Sequence, residues 1–255
     1  MPVRVAWNEA LTRASVVIAQ DPGNLLTADV VRQLRTAVED LHDAQHLRLV
    51  TIEGAGPDFS FGASIPEHRA DQIGHVLPEA HALIGELLSC PATTAAVVRG
   101  RCLGGGFELA LACDFIFAAE TATFGLPEIA VGVFPPAGAV LLPWRAGGAR
   151  ATSAVLTGAA RSAADWHAAG LIERVAPEAE LVRTIDEWFA ATLGRWSAES
   201  LRHAVRATRA ELVAIVERDL PEAERRYLAE LMRSEDAREG IAAFLEKRPP
   251  RWRDR

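Results

Sequence analysis

Two glutamates, Glu108 and Glu128, lie twenty residues apart, each in a context where a solvated surface carboxylate is unusual. Glu108 follows three glycines and precedes an apolar run, and Glu128 follows Pro127 and precedes Ile129. Two carboxylates that face one small space cannot both ionise at low cost, so one of them tends to keep its proton. Such a pair supplies a general acid and a general base at the same pH.

The three glycines before Glu108, residues 104–106, lack the G-x-G-x-x-G spacing of a dinucleotide-binding loop. They precede a predicted short helix, and backbone N–H groups at the start of a helix attract developing negative charge. The loop at Gly62 and Ala63 can present a second N–H. Two such donors would form an oxyanion hole, and a plain tight turn is the alternative explanation of the glycines.

Composition and charge exclude several classes of protein. The chain has 255 residues, 49% of them hydrophobic, which suits one large domain or a domain with an appendage. A net charge of −7 without a basic block disfavours a nucleic acid or an anionic membrane as partner. The N-terminus lacks the apolar segment of a signal peptide, and no stretch approaches the roughly 20 apolar residues of a membrane span.

Cysteine usage points to a reducing compartment. Cys90, Cys102 and Cys113 are odd in number, and their spacing fits neither a zinc site nor a disulfide framework. We expect buried free thiols and a cytoplasmic location; a nucleophilic cysteine is the alternative, but no histidine lies near any of them in sequence.

The first half of the chain alternates strand and helix patterns. Strands are predicted at 3–7, 14–19, 47–53, 93–98 and 114–118, and helices at 27–44, 78–88 and 107–112. This alternation predicts an α/β fold with parallel crossovers. From about residue 149 the pattern is nearly all helical, with helix starts expected at Ser197, Pro221 and Ser234. The polar tail over 249–255 is expected to be loose.

The histidines give weak signals. His42 and His46 have an i, i+4 spacing that suits zinc, but the glutamate of the H-E-x-x-H motif and a third ligand are missing, so a solvated helix face is the simpler interpretation. His68, His75 and His81 fall in a polar stretch and are expected on the surface or in loops.

The most specific pattern in the chain covers residues 101–114 and 123–129, and it resembles the crotonase superfamily, the enoyl-CoA hydratase/isomerase family. The resemblance spans almost the whole chain and includes the loop at 59–63 and the segment at 236–248. It implies an α/β fold in which a crotonase-like spiral of repeated ββα turns forms a core over residues 1–195. A helical C-terminal region over 196–255 would then build a homotrimer or a homohexamer.

The resemblance also implies roles for individual residues. Ala63 and Gly105 would donate the oxyanion-hole N–H groups, and Glu108 and Glu128 would take the two carboxylate positions of a hydratase. Retention of both glutamates favours water addition over isomerisation, dehalogenation or C–C bond chemistry. The substrate is expected to be an acyl-CoA thioester, and no metal or other cofactor is expected because coenzyme A is part of the substrate. The residues expected to bind the acyl group or CoA are Phe61, Ala63, Ile65, Phe134, Phe244 and Lys247, the last two at the CoA of a neighbouring subunit.

Some segments depart from the usual pattern of the family. Ser64 replaces an acidic residue, and residues 21–23 and 134–138 replace a basic and a glycine-rich segment. The combination of 59–64 with 133–136 is similar to the cyclic dienoyl-CoA hydratases of aromatic-ring degradation. An isomerase or a hydrolase acting on a CoA thioester is the alternative within the family. A non-catalytic CoA-thioester binder and an RNA-binding relative are the others, disfavoured by the glutamate pair and by the acidic charge.

Overall fold

The computed structural model describes residues 1–69 and 72–255 and contains two β-sheets. The strands are β1 (Val3–Trp7), β2 (Arg13–Ile18), β3 (Leu49–Gly54), β4 (Thr93–Val98), β5 (Arg101–Leu103), β6 (Phe115–Ala119), β7 (Thr123–Gly125), β8 (Arg161–Ser162) and β9 (Arg174–Ala176). The larger sheet has the order β1-β2-β3-β4-β6-β9, and the smaller sheet has the order β5-β7-β8. In the larger sheet only the β1–β2 hairpin is antiparallel, and all other neighbours run parallel.

Helices connect and cover these strands. They are α1 (Ala28–Asp40), α2 (Ile73–Ser89), α3 (Gly105–Leu111), α4 (Pro136–Ala146), α5 (Gly148–Thr157), α6 (Ala163–Ala168), α7 (Leu181–Ala191), α8 (Ala198–Ala229) and α9 (Glu235–Leu245). Short 3-10 helices at Ile65–His68 and Pro127–Val131 belong to the site described below.

Parallel pairing follows from the composition of the central strands. All six residues of β4 are buried, as expected for a strand that is covered on both faces. A parallel neighbour needs a crossover, and α2 supplies it between β3 and β4. The α/β fold with parallel crossovers predicted from the sequence is therefore confirmed. The helical second half also contributes β8 and β9, which the sequence pattern did not predict.

Two prolines do not mark helix starts as predicted. Helix α2 already begins at Ile73 and contains Pro78, and α8 runs for 32 residues through Pro221. A proline inside a helix removes one backbone hydrogen bond, but tertiary packing of a helix face can outweigh that loss. In α8 the packing comes from a buried row that includes Leu212, Val216 and Leu220.

Other helix boundaries agree better with the sequence. Ser197 and Ser234 cap α8 and α9, each accepting a backbone N–H at its side chain, and Thr27 caps α1 in the same way. Helix α1 ends at Asp40, earlier than predicted, so His42 and His46 lie beyond it and not on a helix face. The three cysteines are buried free thiols, as expected. No helix within the described parts of the chain has the length and apolar character required to cross a bilayer.

The tail at 249–255, predicted to be loose, is held against α9. The carbonyl oxygen of Arg255 accepts the N–H of Glu235 at 2.9 Å. The carboxylate of Asp236 accepts the N–H groups of Arg253 and Asp254, each at 2.7 Å. These bonds occupy donors and acceptors that a free tail would leave to water, so the prediction of a loose tail is wrong.

Arg209 anchors α8 to the sheet. Its side chain is only 4% exposed, and its guanidinium meets the carboxylate of Asp114 with Nε 2.7 Å from Oδ1. The same group donates to the carbonyl oxygens of Leu88 and Ala92, both at 3.0 Å. These carbonyls lie at the end of α2 and just before β4, so one buried cation joins three elements.

Replacing Arg209 by alanine is expected to lower the free energy of unfolding by about 3–5 kcal/mol, because the buried carboxylate of Asp114 and several carbonyls lose their partner. Urea denaturation followed by circular dichroism measures the change. Arg225→Ala, which breaks an exposed ion pair on the same helix, is the matched control and should cost less than about 1 kcal/mol. Equal losses in the two variants would contradict the anchoring role.

Candidate active site

The start of α3 is fixed by a glycine with positive φ. Gly104 has φ +51° and donates its N–H to the carbonyl of Gly125 at 2.9 Å, which joins β5 and β7 to the helix start. A Cβ at Gly104 would lie 2.6 Å from Oε1 of Glu128. Glycine is therefore required here both for its conformation and for the close approach of a carboxylate. Gly105 follows as the first residue of α3.

The loop at Gly62 and Ala63 approaches the same helix start. Gly62 has φ +91°, and a Cβ on it would lie 2.6 Å from the carbonyl oxygen of Leu103. A Cβ built on Gly105 would lie 3.4 Å from the nitrogen of Ala63, so the two backbone segments are neighbours. Within residues 1–69 and 72–255, the N–H groups of Ala63 and Gly105 donate no hydrogen bond. Two neighbouring N–H groups are thus available to a ligand oxygen.

Glu108 lies in the first turn of α3, and its carboxylate is enclosed. Its Oε1 accepts the N–H of Gly138 at 2.7 Å, at the start of α4. Burial raises the pKa of this carboxyl, while the bond from Gly138 and the nearby His81 act in the opposite direction. The hydrogen bond stabilises the ionised form without removing the effect of burial.

Glu128 lies in the 3-10 helix Pro127–Val131. Burial raises the pKa of Glu128 to about 8, and the negative charge of Glu108 acts in the same direction. Its Oε2 has no hydrogen-bond partner among the described residues. The two carboxyls interact strongly and titrate as a pair, so at neutral pH one proton stays between them. This arrangement provides one acid and one base.

Two connected spaces surround these groups. An inner cavity of about 70 Å³ is lined by both glutamates and by apolar walls from α2 and α4. An outer groove of about 580 Å³ lies between the loop at 61–66 and helix α9. Ala63, His68, Gly105 and Glu128 line both spaces, so the two free N–H groups lie where cavity and groove meet. A long ligand can therefore pass from the groove to the cavity beside these donors.

The residues expected to bind an acyl group or CoA are divided between the two spaces. Phe61, Ile65 and Phe244 line the outer groove, and Phe134 lines the inner cavity. Lys247 is exposed and is not among the described residues that line either space. Its neighbour Arg248 lines the groove, with its guanidinium paired to Glu239.

Sequence reasoning missed a group of polar residues in the inner cavity. His81, expected on the surface, is buried on α2, and its Nδ1 lies 2.6 Å from Oε2 of Glu224 on α8, so that expectation is wrong. Tyr227, the sole tyrosine of the chain, also lines the cavity. A signal was present: His81 shares the helix face of Leu77 and Ile84, which are apolar.

Helix α9 contacts the segment that carries Glu128. Gly240 lies so close to the 3-10 helix that a Cβ on it would be 2.2 Å from the carbonyl oxygen of Val131 and 3.1 Å from the nitrogen of Gly132. These atoms are backbone and cannot move aside as a flexible side chain would. The position of Glu128 therefore depends on the close packing of α9.

Comparison with known proteins gives a consistent result. The enoyl-CoA hydratase/isomerase family matches the chain over residues 14–255. A cyclohexa-1,5-dienecarbonyl-CoA hydratase of Thauera aromatica is 43% identical over 240 residues, which are 93% of this chain and 92% of the relative. A probable enoyl-CoA hydratase of Mycobacterium bovis is 35% identical over 234 residues, 91% of this chain and 90% of the relative. The crystal structure of an enoyl-CoA hydratase from Mycobacterium avium subsp. paratuberculosis has a TM-score of 0.88 at 29% identity, covering 100% of this chain and 99% of that one.

These matches confirm the resemblance to the crotonase superfamily and to a cyclic dienoyl-CoA hydratase, and they confirm the crotonase-like fold. The family match begins at β2 and includes the loop at Ala63, the start of α3 and the 3-10 helix of Glu128. The chain is an enzyme of the enoyl-CoA hydratase/isomerase family.

Proposed function

We propose that this enzyme adds water to the conjugated double bond of a compact enoyl-CoA thioester. The observation that carries the proposal is the pair of buried carboxylates, Glu108 and Glu128, next to the free N–H groups of Ala63 and Gly105. Water addition needs a base for the water, an acid for the α-carbon and a site for the negative charge on the thioester oxygen. The four residues match these three needs.

In the proposed mechanism the thioester oxygen accepts the N–H groups of Ala63 and Gly105. Water between the two glutamates attacks the β-carbon, its proton passes to the ionised carboxylate, and electron density moves to the thioester oxygen as an enolate. Each N–H stabilises that charge by about 3 kcal/mol. The protonated carboxyl then delivers its proton to the α-carbon, which re-forms the carbonyl and completes the addition of one water.

We assign the acid to Glu128 and the base to Glu108. The N–H of Gly138 stabilises the ionised form of Glu108, whereas Glu128 lacks such a donor for its Oε2 among the described residues. The shared proton therefore favours Glu128, whose pKa burial raises to about 8. Proton transfers within the pair restore this distribution after each turnover.

The shape of the inner cavity supports a compact, ring-shaped acyl group. Its volume of about 70 Å³ is small, and Phe134, Pro135 and Pro136 form a rigid part of its wall. The relative of Thauera aromatica is named for a cyclohexadienecarbonyl substrate. We propose a cyclic dienoyl-CoA as substrate in preference to a long linear enoyl-CoA, with coenzyme A in the outer groove along Phe61 and Ile65 and no metal or further cofactor.

The direct test follows the ultraviolet absorbance of a conjugated enoyl-CoA together with the mass of the product. We expect the absorbance to fall and the product to gain the mass of one water, with cyclohexa-1,5-diene-1-carbonyl-CoA turned over faster than linear enoyl-CoAs of eight or more carbons. A product of unchanged mass with a shifted double bond would identify an isomerase. Release of free coenzyme A would identify a thioester hydrolase, and either result would contradict the proposal.

The pH profile tests the assignment of Glu128. Because the acid form of Glu128 is needed and its pKa is about 8, kcat/KM should fall about tenfold per pH unit above that value. Initial rates between pH 6 and pH 10, with circular dichroism to confirm folding at each pH, measure the profile. A rate that stays constant up to pH 10 would contradict the assignment.

We propose that the chain assembles as a homotrimer or homohexamer in the cytoplasm through its C-terminal region, 196–255. Phe244 is 55% exposed and Leu245 36% exposed on α9, an apolar surface that suits a subunit contact. Light scattering should give three or six times the chain mass, and Lys247→Ala should raise KM with little change in kcat if Lys247 pairs with a CoA phosphate across subunits. A fully active monomer would contradict both expectations.

A further inference from the structure

Besides the glutamates, the inner cavity carries two polar groups that the proposed mechanism does not use. His81 is 9% exposed and Tyr227 is 1% exposed, and both line the cavity. His81 Nε2 and the hydroxyl of Tyr227 have no hydrogen-bond partner within residues 1–69 and 72–255. Buried polar atoms in folded proteins are nearly always bonded, so two unbonded atoms on one cavity wall call for an explanation.

Both side chains are held in place by contacts outside the cavity. The carboxylate of Glu224 lies 2.6 Å from His81 Nδ1, which fixes the ring and leaves Nε2 for the cavity. When Nδ1–H donates to Glu224, the neutral ring offers a lone pair at Nε2 as an acceptor. The ring of Tyr227 packs edge to face against Phe134 with centroids 5.6 Å apart, and its hydroxyl can donate as well as accept.

The energetics favour a ligand that bonds these groups. A hydrocarbon acyl group would fill the space and leave both polar atoms without a partner. A site with buried hydrogen-bonding groups discriminates strongly against an analogue that cannot bond them, because the desolvated groups then stay unpaired. An acyl group with an oxygen substituent would satisfy one or both of them.

We propose that the inner cavity recognises an acyl group that carries a hydroxyl or keto oxygen in addition to the thioester carbonyl, bound by Tyr227 and His81. A hydroxyl suits both residues, because it can donate to His81 Nε2 and accept from Tyr227. Glu108 and Glu128 remain engaged with the reacting water. The inference rests on the proposed function in one respect, the location of the acyl group in the inner cavity.

Binding of thioesters that cannot react tests the inference separately from turnover. Isothermal titration calorimetry would compare cyclohexanecarbonyl-CoA with its 2-, 3- and 4-hydroxy derivatives, and with coenzyme A alone as reference. These saturated thioesters have no double bond to hydrate, so a failed hydration assay would not affect the result. We expect at least one hydroxy derivative to bind tenfold or more tightly than the parent ring.

Three variants assign the preference to the two side chains. Tyr227→Phe removes the hydroxyl and keeps the ring against Phe134. His81→Asn keeps a donor for Glu224 near the Nδ1 position and removes the group at Nε2, whereas His81→Gln places its amide near Nε2 and is the matched control. Tyr227→Phe and His81→Asn should each lower the ratio of the two dissociation constants at least threefold, and His81→Gln should keep more of the ratio than His81→Asn.

Two results would overturn the inference. In the first, the parent ring binds as tightly as every hydroxy derivative, which would show that the polar wall selects nothing. In the second, the preference survives in the Tyr227→Phe/His81→Asn double variant, which would show that other groups cause it. If no acyl thioester binds more tightly than coenzyme A alone, the location of the acyl group is wrong and the inference fails with it.

Discussion

Glu108→Gln and Glu128→Gln are each expected to lower kcat for hydration by at least about a hundredfold, the usual scale for a general acid or base. Glutamine keeps the size of the side chain and, at Glu108, an oxygen that can accept the N–H of Gly138. It cannot take a proton from water or give one to carbon. Initial rates with a conjugated enoyl-CoA measure the loss, and Glu120→Gln, at an exposed glutamate after β6, is the control that should stay active.

The same substitution at Glu128 should stabilise the fold. The folded-state pKa of about 8 lies above the model value of 4.5, so the folded protein retains a proton there that the unfolded chain releases. The stability of the wild type therefore decreases as the pH rises from about 4.5 to 8, whereas a glutamine does not titrate. Denaturation at pH 5 and pH 8 should show a gain for Glu128→Gln that is larger at pH 8. Near wild-type kcat in either glutamate variant would refute the two-carboxylate mechanism.

Gly105→Pro is expected to reduce turnover by at least a hundredfold while the protein stays folded. Gly105 is the first residue of α3, where proline is tolerated because its nitrogen makes no bond within the helix. A Cβ at this position would meet its nearest neighbours at 3.4 Å or more, which is ordinary contact. The substitution therefore removes one N–H of the proposed oxyanion hole, whose loss costs about 10²–10³ in kcat.

The chain offers a matched control for this experiment. Gly148 is also the first residue of a helix and also follows a glycine with positive φ, Gly147. A Cβ at Gly148 would meet nothing within 4 Å. Gly148→Pro should keep full activity, and circular dichroism should show both variants folded. A folded and active Gly105→Pro enzyme would remove this N–H from the site.

The sequence was sufficient for the catalytic segment because its information is local. The glycines at 104–106, the helix start and Glu108 are neighbours in the chain, and the conformation of Gly104 follows from its residue type. Glu128 belongs to the same compact motif. Short-range features of this kind are visible in a single sequence, and the structure brings them together around one cavity.

The polar wall of the cavity was not predictable in the same way. His81 and Glu224 are 143 residues apart, and they meet only because α2 packs on α8. The extent of α8 was itself hidden by Pro221, which normally ends a helix but here lies within a helix whose buried face compensates. The tail at 249–255 was misjudged for a related reason, since its partners Asp236 and Glu239 are supplied by another helix.

The close contact of Gly240 with the backbone at Val131 makes α9 a remote control element for catalysis. Substitutions on α9 that shift the helix would displace Glu128 without changing any residue of the inner cavity. Directed evolution of this enzyme should therefore return rate-altering substitutions from α9 as well as from the cavity wall. Libraries restricted to the residues around the substrate would leave this source of variation unsampled.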